Sequence, residues 1–427
     1  MLFSQSPYNG GPSLTRKEFL PIILGSDENA YGTARQLQEV PGAARPLLVC
    51  TLQLNATRDS SLFDVRVVPE LDHEDVFPDA LLTILREMEP SYPGGIIVIP
   101  CSDYYTDLMC RYYDHFEGRI RNRFNPPGLL ETFSTKDRFY NLCRQYGLDY
   151  PQTVVCDLSR RMEIVDDLPF PFPIVVKPEN SNATNYLHCK FEGVKKVYFF
   201  NRREEYLDIA KKLTDAGYKG KMIIQEFIPG DDSAMRVINC YSGHDGKVRA
   251  MSLGQPVLEF YDPPSIGNYA AIISRRDQTL YDKIQRFLEE LGYVGFSNFD
   301  MKYDSRTGRY VLFEINPRLG RSSFFTYCAG MNLVAELCVD VIDGTTHPCL
   351  YGDRTVLWSH VPKGILLRYV SDPALRQEVK RLPIHYTLRW SGDKNWKRTY
   401  RHLRYALGQY RSFRRYFFDK SGPFTQR

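Results

Sequence analysis

The sequence predicts an α/β domain with a parallel sheet, followed by an α+β domain whose strands run mostly antiparallel. In the first 125 residues, short apolar runs alternate with helical patterns, as they do in parallel α/β domains. Beyond that point, strand-like runs outnumber helical ones, which favours an antiparallel sheet. At 427 residues the chain is also long enough to form two or three domains, each with its own core.

The first domain is predicted to cover residues 17–125, after a tail formed by residues 1–16. The stretch "FLPIILGSDENAYGTARQLQEV" begins as an apolar strand, turns at Gly25 and continues as a helix that starts near Asn29. Three further apolar runs, "RPLLVC", "VRVVP" and "GGIIVIP", alternate with helical stretches. This alternation is typical of a doubly wound sheet.

The second domain is predicted to cover residues 126–345. It begins with the break "NPPGLL" and the helix "KDRFYNLCRQYG", which Ser134 or Thr135 caps and Gly147 ends. Helical stretches are expected around 203–216 and 278–291. The predicted strands are "PFPIVVKP", "KKVYFF", "KMIIQEF", "AMRVINCY", "KVRAMSL", "YAAIIS", "GFSNFDMKYD" and "RYVLFEIN". After the helix "MNLVAELCVDVIDG", residues 346–427 form a basic, aromatic extension that we expect to be rich in helix.

Composition narrows the class of protein. Lys and Arg number 55 against 51 Asp and Glu, a net charge of +4, which is too small to imply a nucleic acid as partner. The ten cysteines are scattered and have no metal-ligand spacing, which is typical of reduced thiols in a cytoplasmic protein. The start of the chain has no signal-peptide pattern, and no run reaches the length of a transmembrane helix. We therefore expect a soluble, cytoplasmic protein.

Two predicted strands, "FSNFDMKYD" and "RYVLFEIN", flank "SRTG", where Gly308 occupies the left-handed position of a three-residue hairpin loop. Counting back through this loop sets Asp300 opposite Glu314, and Asn316 falls on the same face. Oxygen ligands of this kind suit Mg²⁺ or Mn²⁺. The alternative is a solvated sheet face on which Arg318 forms a structural salt bridge, and the residues alone leave both interpretations open.

Two lysines and one strand suggest a nucleotide site. Lys177 ends the apolar run "PFPIVVKP", where its ammonium needs an anion, either a nucleotide phosphate or a structural Glu. Lys136 begins a helix, where a lysine is more often simply solvated. In "MIIQEFIPGDD" a strand becomes a linker whose backbone could pair with the adenine edge. The side chains of Glu226 and of Asp231 or Asp232 could reach the adenine amino group and the ribose.

Taken in order, Lys136, Lys177, "QEFIPG", Asp300 and "EINPR" resemble the ATP-grasp superfamily over roughly residues 100–345. The first domain is similar to the Rossmann-like preATP-grasp domain of carboxylate-amine ligases. More narrowly, "PIILGSDENAYGTAR" and "VVKPENSNATNYLHCKFEGVKKVYFF" are similar to D-aspartate ligases, which add an amino acid to the lysine of a peptidoglycan precursor. The resemblance implies a preATP-grasp domain followed by an ATP-grasp fold.

The resemblance also implies roles for individual residues. ATP would be bound by Lys136, Lys177, Gln225, Glu226, Phe227, Ile228, Asp231 and Asp232. Asp300, Glu314 and Asn316 would bind Mg²⁺ or Mn²⁺, while Arg318 and Lys177 would be catalytic. The loop after Lys177 departs from the glycine-rich pattern of many relatives, because Asn180, Ser181, Asn182 and Thr184 precede its first glycine, Gly193.

The implied reaction is ATP-dependent ligation of a carboxylate to an amine through an acyl phosphate. The amino acid would resemble D-aspartate and the amine would belong to a cell-wall precursor. Joining small free amino acids, or binding nucleotide without catalysis, are the alternatives. Substrate contacts are expected from Asp27, Asn29, Arg236, Arg321, Ser322 and Ser323. Helix capping explains Asp27 or Asn29 equally well.

The stretch "RWSGDKNWKRTYRHLRYALGQYRSFRRYFF" is the most basic part of the chain. It is typical of an amphipathic helix with Arg and Tyr on a solvated face. Its basic, aromatic surface would also suit contact with an acidic precursor or with an anionic membrane surface.

Overall fold

The computed structural model describes residues 18–158, 162–179, 186, 189, 191, 194–195, 197–263 and 265–418. The predicted tail, residues 1–16, lies outside this part of the chain, as do Asn180, Ser181, Asn182, Thr184 and Gly193 of the predicted phosphate loop. Within the described ranges, no helix is both long and apolar enough to cross a bilayer.

A four-stranded parallel sheet forms the first domain, as predicted. Its strands are β1 (Leu20–Leu24), β2 (Leu47–Cys50), β3 (Asp64–Val67) and β4 (Ile96–Pro100), in the order β3-β2-β1-β4. The helices are α1 (Glu28–Leu37), α2 (Phe77–Met88) and α3 (Asp103–Arg111). Gly25, at φ +118°, makes the turn from β1 into α1 in a conformation that glycine adopts without strain.

A second, small sheet is antiparallel. Two helices, α4 (Pro127–Ser134) and α5 (Lys136–Gln145), lead to its strands β5 (Thr153–Asp157), β6 (Ile174–Pro178), β7 (Tyr198–Phe200) and β8 (Lys221–Glu226). The strand order is β5-β8-β6-β7, and α6 (Arg203–Asp215) packs against the sheet. Strand β5 was not predicted, because only Cys156 of this strand is buried and its residues do not alternate between apolar and polar.

The largest sheet contains β9 (Met235–Ser242), β10 (Val248–Glu259), β11 (Tyr269–Arg275), β12 (Gly295–Asp304) and β13 (Arg309–Asn316). These strands follow the order β13-β12-β9-β10-β11 and pair antiparallel, as predicted. One apolar face of α7 (Gln278–Glu290) packs against the sheet together with residues of α5. The shorter helices α8 (Phe324–Cys328) and α9 (Leu333–Val341) follow β13.

The region after residue 345, predicted as an extension rich in helix, also contributes strands to the largest sheet. It contains β14 (Leu350–Tyr351), β15 (Leu357–Ser359) and β16 (Ile384–His385), which continue the largest sheet beyond β10 and β11. Strands of two or three residues are too short to produce an alternation signal. The predicted helices are present as α10 (Lys363–Tyr369), α11 (Pro373–Arg381) and α12 (Trp396–Tyr416).

Short 3-10 turns lie at Glu89–Ser91, Tyr113–Phe116, Met162–Asp167, Asp232–Ala234 and Ser391–Asp393. A shared apolar cluster holds the first domain against the largest sheet. In this cluster, Tyr31 of α1 packs with Leu333 of α9 and Tyr241 of β9. The buried amide of Asn29 adds a hydrogen bond to the carbonyl oxygen of Leu319, at 2.8 Å. The start of α1 is thereby fixed beside the residues that follow β13.

Candidate active site

The β12–β13 hairpin brings the predicted metal-binding residues together. Asp300 lies opposite Glu314, and Asn298 lies opposite Asn316. Gly308 in the connecting turn has φ +68°, as predicted for a left-handed position. The side-chain amide of Asn316 donates to Asp300 Oδ2 at 3.1 Å and to Asn298 Oδ1 at 3.2 Å. Two carboxylates and an amide therefore share one face of the hairpin.

The two carboxylates have different electrostatic surroundings. Lys136 Nζ lies 2.9 Å from Glu314 Oε2, and the Lys136 charge lowers the pKa of Glu314. For Asp300, desolvation and then the Glu314 charge raise the pKa well above its ordinary value. The Tyr269 O–H group donates to Asp300 Oδ1 at 2.7 Å without reversing this effect. Asp300 is therefore the carboxylate that gains most from a neighbouring cation.

Arg318 does not form the structural salt bridge between these carboxylates that the sequence left open. Its guanidinium forms a two-point ion pair with Asp103 of α3, with Nε–Oδ1 at 2.6 Å and Nη2–Oδ2 at 2.7 Å. From there it attracts both hairpin carboxylates and lowers the pKa of each. A residue of the first domain thus holds a cationic group beside the hairpin of the largest sheet.

The donor set of the hairpin fits a hard divalent cation. Carboxylate and amide oxygens are the ligands that Mg²⁺ and Mn²⁺ prefer, and a cation would relieve the repulsion that raises the pKa of Asp300. In the described part of the chain, no group of three or more His, Cys, Asp and Glu side chains is arranged to hold a metal. The hairpin offers only two such groups, so water and phosphate oxygens would complete the coordination, as is common for Mg²⁺.

Lys177 lies at the end of β6, close enough to Lys136 for their charges to repel. Burial and then the Lys136 charge lower the pKa of Lys177 to about 7. The Glu314 charge acts in the opposite direction and raises this pKa, so a carboxylate of the hairpin attracts Lys177 as well as Lys136. Two neighbouring ammonium groups are suited to bind a polyanion.

The predicted adenine-binding linker joins β8 of the small sheet to β9 of the largest sheet. Gln225 is buried, and its amide donates to two side-chain oxygens, each at 2.9 Å. Glu226 pairs with Arg306 at 2.9 Å. Phe227 and the buried Ile228 follow. Gln225 thus fixes the strand, whereas the residues after it bridge the two sheets.

Asp231 and Asp232 have structural partners at the end of this linker. Asp231 caps the following 3-10 turn by accepting from the N–H group of Ser233 at 3.0 Å. The carboxylate of Asp232 is buried and accepts from the N–H group of Glu259 at 2.9 Å and from the O–H group of Tyr261 at 2.7 Å. These contacts stabilise the turn, and the predicted contacts with nucleotide stay predictions.

Structural contacts also account for several predicted substrate residues. Asp27 caps α1, which is the alternative that the sequence left open. Asn29 is tied to the carbonyl oxygens of two loops, and Arg236 donates to carbonyl oxygens on its own strand and the preceding turn. Ser322 and Ser323 are buried just before α8. A direct substrate contact of these residues stays a prediction.

A buried charge cluster that the sequence does not reveal lies beside Arg321. Glu28 Oε2 is 2.7 Å from His360 Nδ1 and 3.5 Å from Arg321 Nε. Burial alone would raise the pKa of Glu28, but His360 and Arg321 outweigh it and lower this pKa to about 2. Glu28 and His360 line a small cavity together with His402 and Tyr405 of α12. The C-terminal region therefore reaches the first turn of α1.

Comparison with protein families and curated proteins gives two kinds of match. The family described as "Carbamoyl-phosphate synthase L chain, ATP binding domain" matches residues 270–344. A D-aspartate ligase of Enterococcus faecium (strain Aus0004) is 37% identical over 422 residues, which cover 96% of this chain and 99% of that protein. A D-alanine–D-alanine ligase of Granulibacter bethesdensis is 30% identical over 171 residues, which cover 37% of this chain and 49% of that protein.

Solved structures resemble this chain in fold. An ADP complex of N5-carboxyaminoimidazole ribonucleotide synthetase gives a TM-score of 0.55 at 14% identity, covering 81% of this chain and 82% of that one. The biotin carboxylase domain of a Hydrogenobacter thermophilus 2-oxoglutarate carboxylase, solved with MgADP, gives 0.57 at 12% identity, covering 78% and 71%. At these identities the two structures show a common fold.

Proposed function

This chain belongs to the D-aspartate ligase family of ATP-grasp ligases, and we propose that it joins D-aspartate, or a close analogue, to an amine of a peptidoglycan precursor. It is an ATP-dependent, ADP-forming carboxylate-amine ligase. The similarity of 96% of the chain to a D-aspartate ligase supports the choice of substrates, and the charge arrangement at the hairpin supports the transfer of a phosphoryl group from ATP. Asp300 and Glu314 lie opposite each other, with Lys136, Lys177 and Arg318 around them.

In this reaction the substrate carboxylate attacks the γ-phosphorus of ATP, the bond to the β-phosphate oxygen breaks, and ADP leaves. The amine then attacks the acyl phosphate, loses a proton and displaces inorganic phosphate. No protein nucleophile is required, so the chain contributes by binding, by orientation and by stabilising charge. A divalent cation held by Asp300, Glu314 and Asn316 would reduce the repulsion between the carboxylate and the polyphosphate.

We propose that the cationic side chains divide the polyanion between them. Lys136 and Lys177 would contact ATP phosphates, and the low pKa of Lys177 would return towards its ordinary value once an anion lies beside it. Arg318 would stabilise charge on the transferred phosphoryl group. Its ion pair with Asp103 supports this role, because a guanidinium that is already oriented loses little freedom when the transition state forms.

Nucleotide binding by the linker rests on its position between the two antiparallel sheets. The backbone of residues 226–228 would pair with the adenine edge, and Glu226 would face its amino group. For Asp231 and Asp232, contact with the ribose would require exchange of hydrogen bonds that they now make to the chain. We therefore propose that Asp231 and Asp232 contribute less to ATP binding than Lys136 and Lys177 do.

The amino acid is proposed to bind near Arg321 and Glu28. A guanidinium and a carboxylate 3.5 Å apart match the carboxylate and ammonium of an amino acid. His360, packed against Glu28, would hold the carboxylate in place. Among the six predicted substrate residues, Arg321 has the strongest support, because Asp27, Asn29 and Arg236 already serve the fold.

The cytoplasm is the proposed compartment. All ten cysteines have free thiols, most of them buried, which suits a reducing environment.

An ADP-release assay tests the proposal. D-aspartate, L-aspartate and other amino acids of both hands are each offered with Mg²⁺ and ATP, with and without a lysine-containing peptidoglycan precursor. We expect ADP release and a product heavier by one aspartyl residue only when D-aspartate and the precursor are both present. Turnover with free amino acids alone would favour the rival ligase function. ATP binding without turnover on any pair would favour a non-catalytic protein.

A further inference from the structure

The last long helix, α12, presents an unusual apolar stripe on its outer face. Trp396, Tyr400, Leu403, Leu407 and Tyr410 are 75%, 56%, 58%, 57% and 44% exposed. Their spacing of four, three, four and three residues puts them on one side of the helix. The opposite side is anchored in the protein by buried residues, among them Ala406 and Phe413. Contiguous exposed apolar residues on a folded protein generally mark a surface that binds something.

A row of exposed cations runs along one edge of this stripe. Lys397, Arg404 and Arg411 each follow a stripe residue by one position and are exposed, as is Arg415 near the end of the helix. The sequence of α12 contains no Asp or Glu. Arg401, on the side facing the protein, is instead paired with Asp59. The outer face is thus apolar along its centre and purely basic at its edge.

We propose that this outer face of α12 binds the surface of an anionic lipid bilayer, with the helix lying parallel to the membrane plane. Aromatic and leucine side chains would enter the headgroup region, while the row of Lys and Arg meets the lipid phosphates. The helix has 21 residues, or about 30 Å of length. It offers a long contact line without crossing the bilayer, in agreement with the absence of a spanning helix in the described ranges.

Charge decides between a membrane and a second copy of this chain. Two α12 helices packed antiparallel through the stripe would bring their basic edges together, and neither helix carries an acidic residue to compensate. In a parallel pair the two edges lie apart, and each still lacks an acidic partner on the other helix. A bilayer surface offers apolar material and negative charge at once. The inference does not depend on the identity of the ligase substrates, and its test uses no turnover as a readout.

Vesicle flotation of the full chain measures the interaction. Wild-type protein is mixed with vesicles of phosphatidylcholine alone, or with vesicles in which about 30% of the lipid is anionic phosphatidylglycerol. Trp396 is the most exposed of the three tryptophans, so its fluorescence reports insertion. We expect binding and a blue shift with the anionic vesicles, binding that weakens as salt rises, and little binding to phosphatidylcholine alone.

Two double variants test the two components of the surface. Leu403→Glu/Leu407→Glu should weaken vesicle binding by more than about a hundredfold, since two apolar side chains leave the interface. Arg404→Gln/Arg411→Gln should weaken it by roughly thirtyfold, from about 1 kcal/mol per basic residue near an anionic surface. Val67→Glu, at an exposed apolar residue of the edge strand β3, is the matched control and should bind like the wild type.

Several results would overturn the proposal. The first is that the wild-type protein does not float with anionic vesicles at low salt. The second is that either double variant binds these vesicles as tightly as the wild type does. Self-association of the wild type in sedimentation, abolished by the leucine variant and accompanied by no vesicle binding, would identify the face as a dimer interface instead. Circular dichroism of each variant establishes that the fold is intact, and the arginine variant keeps the test decisive if the leucine variant misfolds.

Discussion

Replacing Arg318 by alanine removes a cation that Asp103 of the first domain orients beside the hairpin. In the structure Asp103 orients this guanidinium through two hydrogen bonds of 2.6 and 2.7 Å, and its charge reaches both Asp300 and Glu314. Losing one oriented charge contact to a transition state costs about 3 kcal/mol, or roughly a hundredfold in rate. We therefore expect Arg318→Ala to lower kcat by about a hundredfold, while KM for ATP changes much less.

The measurement is ADP release at saturating ATP with the substrates identified by the screen. Arg309→Ala is the matched control, because Arg309 lies on the same hairpin but is 65% exposed and pairs loosely with Asp149 at 3.4 Å. Asp103→Asn, which keeps the cation but removes its charged partner, should fall between the two. An Arg318→Ala protein with normal circular dichroism and kcat within about threefold of the wild type would refute the assignment.

Three further outcomes are expected. Glu314→Gln removes both a proposed metal ligand and the ion-pair partner of Lys136, so ADP release should fall about a hundredfold, and unchanged turnover would contradict the role. Lys177→Met should raise KM for ATP by at least about tenfold, since a charged hydrogen bond contributes about 1.5–3 kcal/mol; nucleotide titration by calorimetry checks this. Glu28→Gln should destabilise the chain at pH 7 by up to about 3 kcal/mol, because the folded protein lowers the pKa of Glu28 from 4.5 to about 2. This lowered pKa stabilises the fold above pH 4.5, and the stabilisation is lost as the pH falls towards 2. Urea unfolding at pH 7, 5 and 3 should therefore show the difference from the wild type shrinking with acidity, and a constant difference would contradict it.

Strong local patterns made much of the fold predictable. Each of the four strands of the first sheet was predicted, although a loop without a helix joins β2 to the mostly exposed strand β3. Hairpin geometry set Asp300 opposite Glu314, and the structure has this register. Strand β5 was not predicted, because it is half-exposed and its local signal is weak. The strands of two or three residues after residue 345 were not predicted either, because they form only by pairing in the sheet that contains β10 and β11.

From the residues alone, the site was predictable where its members lie on one hairpin, whereas the resemblance to ATP-grasp ligases was needed to bring Lys136 to it. Asn298 could have been found too, since it precedes Asp300 by two residues and shares its face. Asp103 and His360 could not, because each meets its partner, Arg318 or Glu28, across hundreds of residues of sequence. Contacts of that kind are created by the packing of domains, and neither periodicity nor spacing along the chain records them.

The charges around the hairpin form two like-charged pairs rather than a neutralised network. Burial and then the Glu314 charge raise the pKa of Asp300. Burial and then the Lys136 charge lower the pKa of Lys177. Lys136 Nζ lies 2.9 Å from Glu314 Oε2, and this contact joins the pairs. A divalent cation would relieve the first repulsion and a polyphosphate the second, so each should bind more tightly when the other is present. This reciprocal coupling explains why a ligase keeps such charges close together, since a purely structural network would gain stability from alternating them.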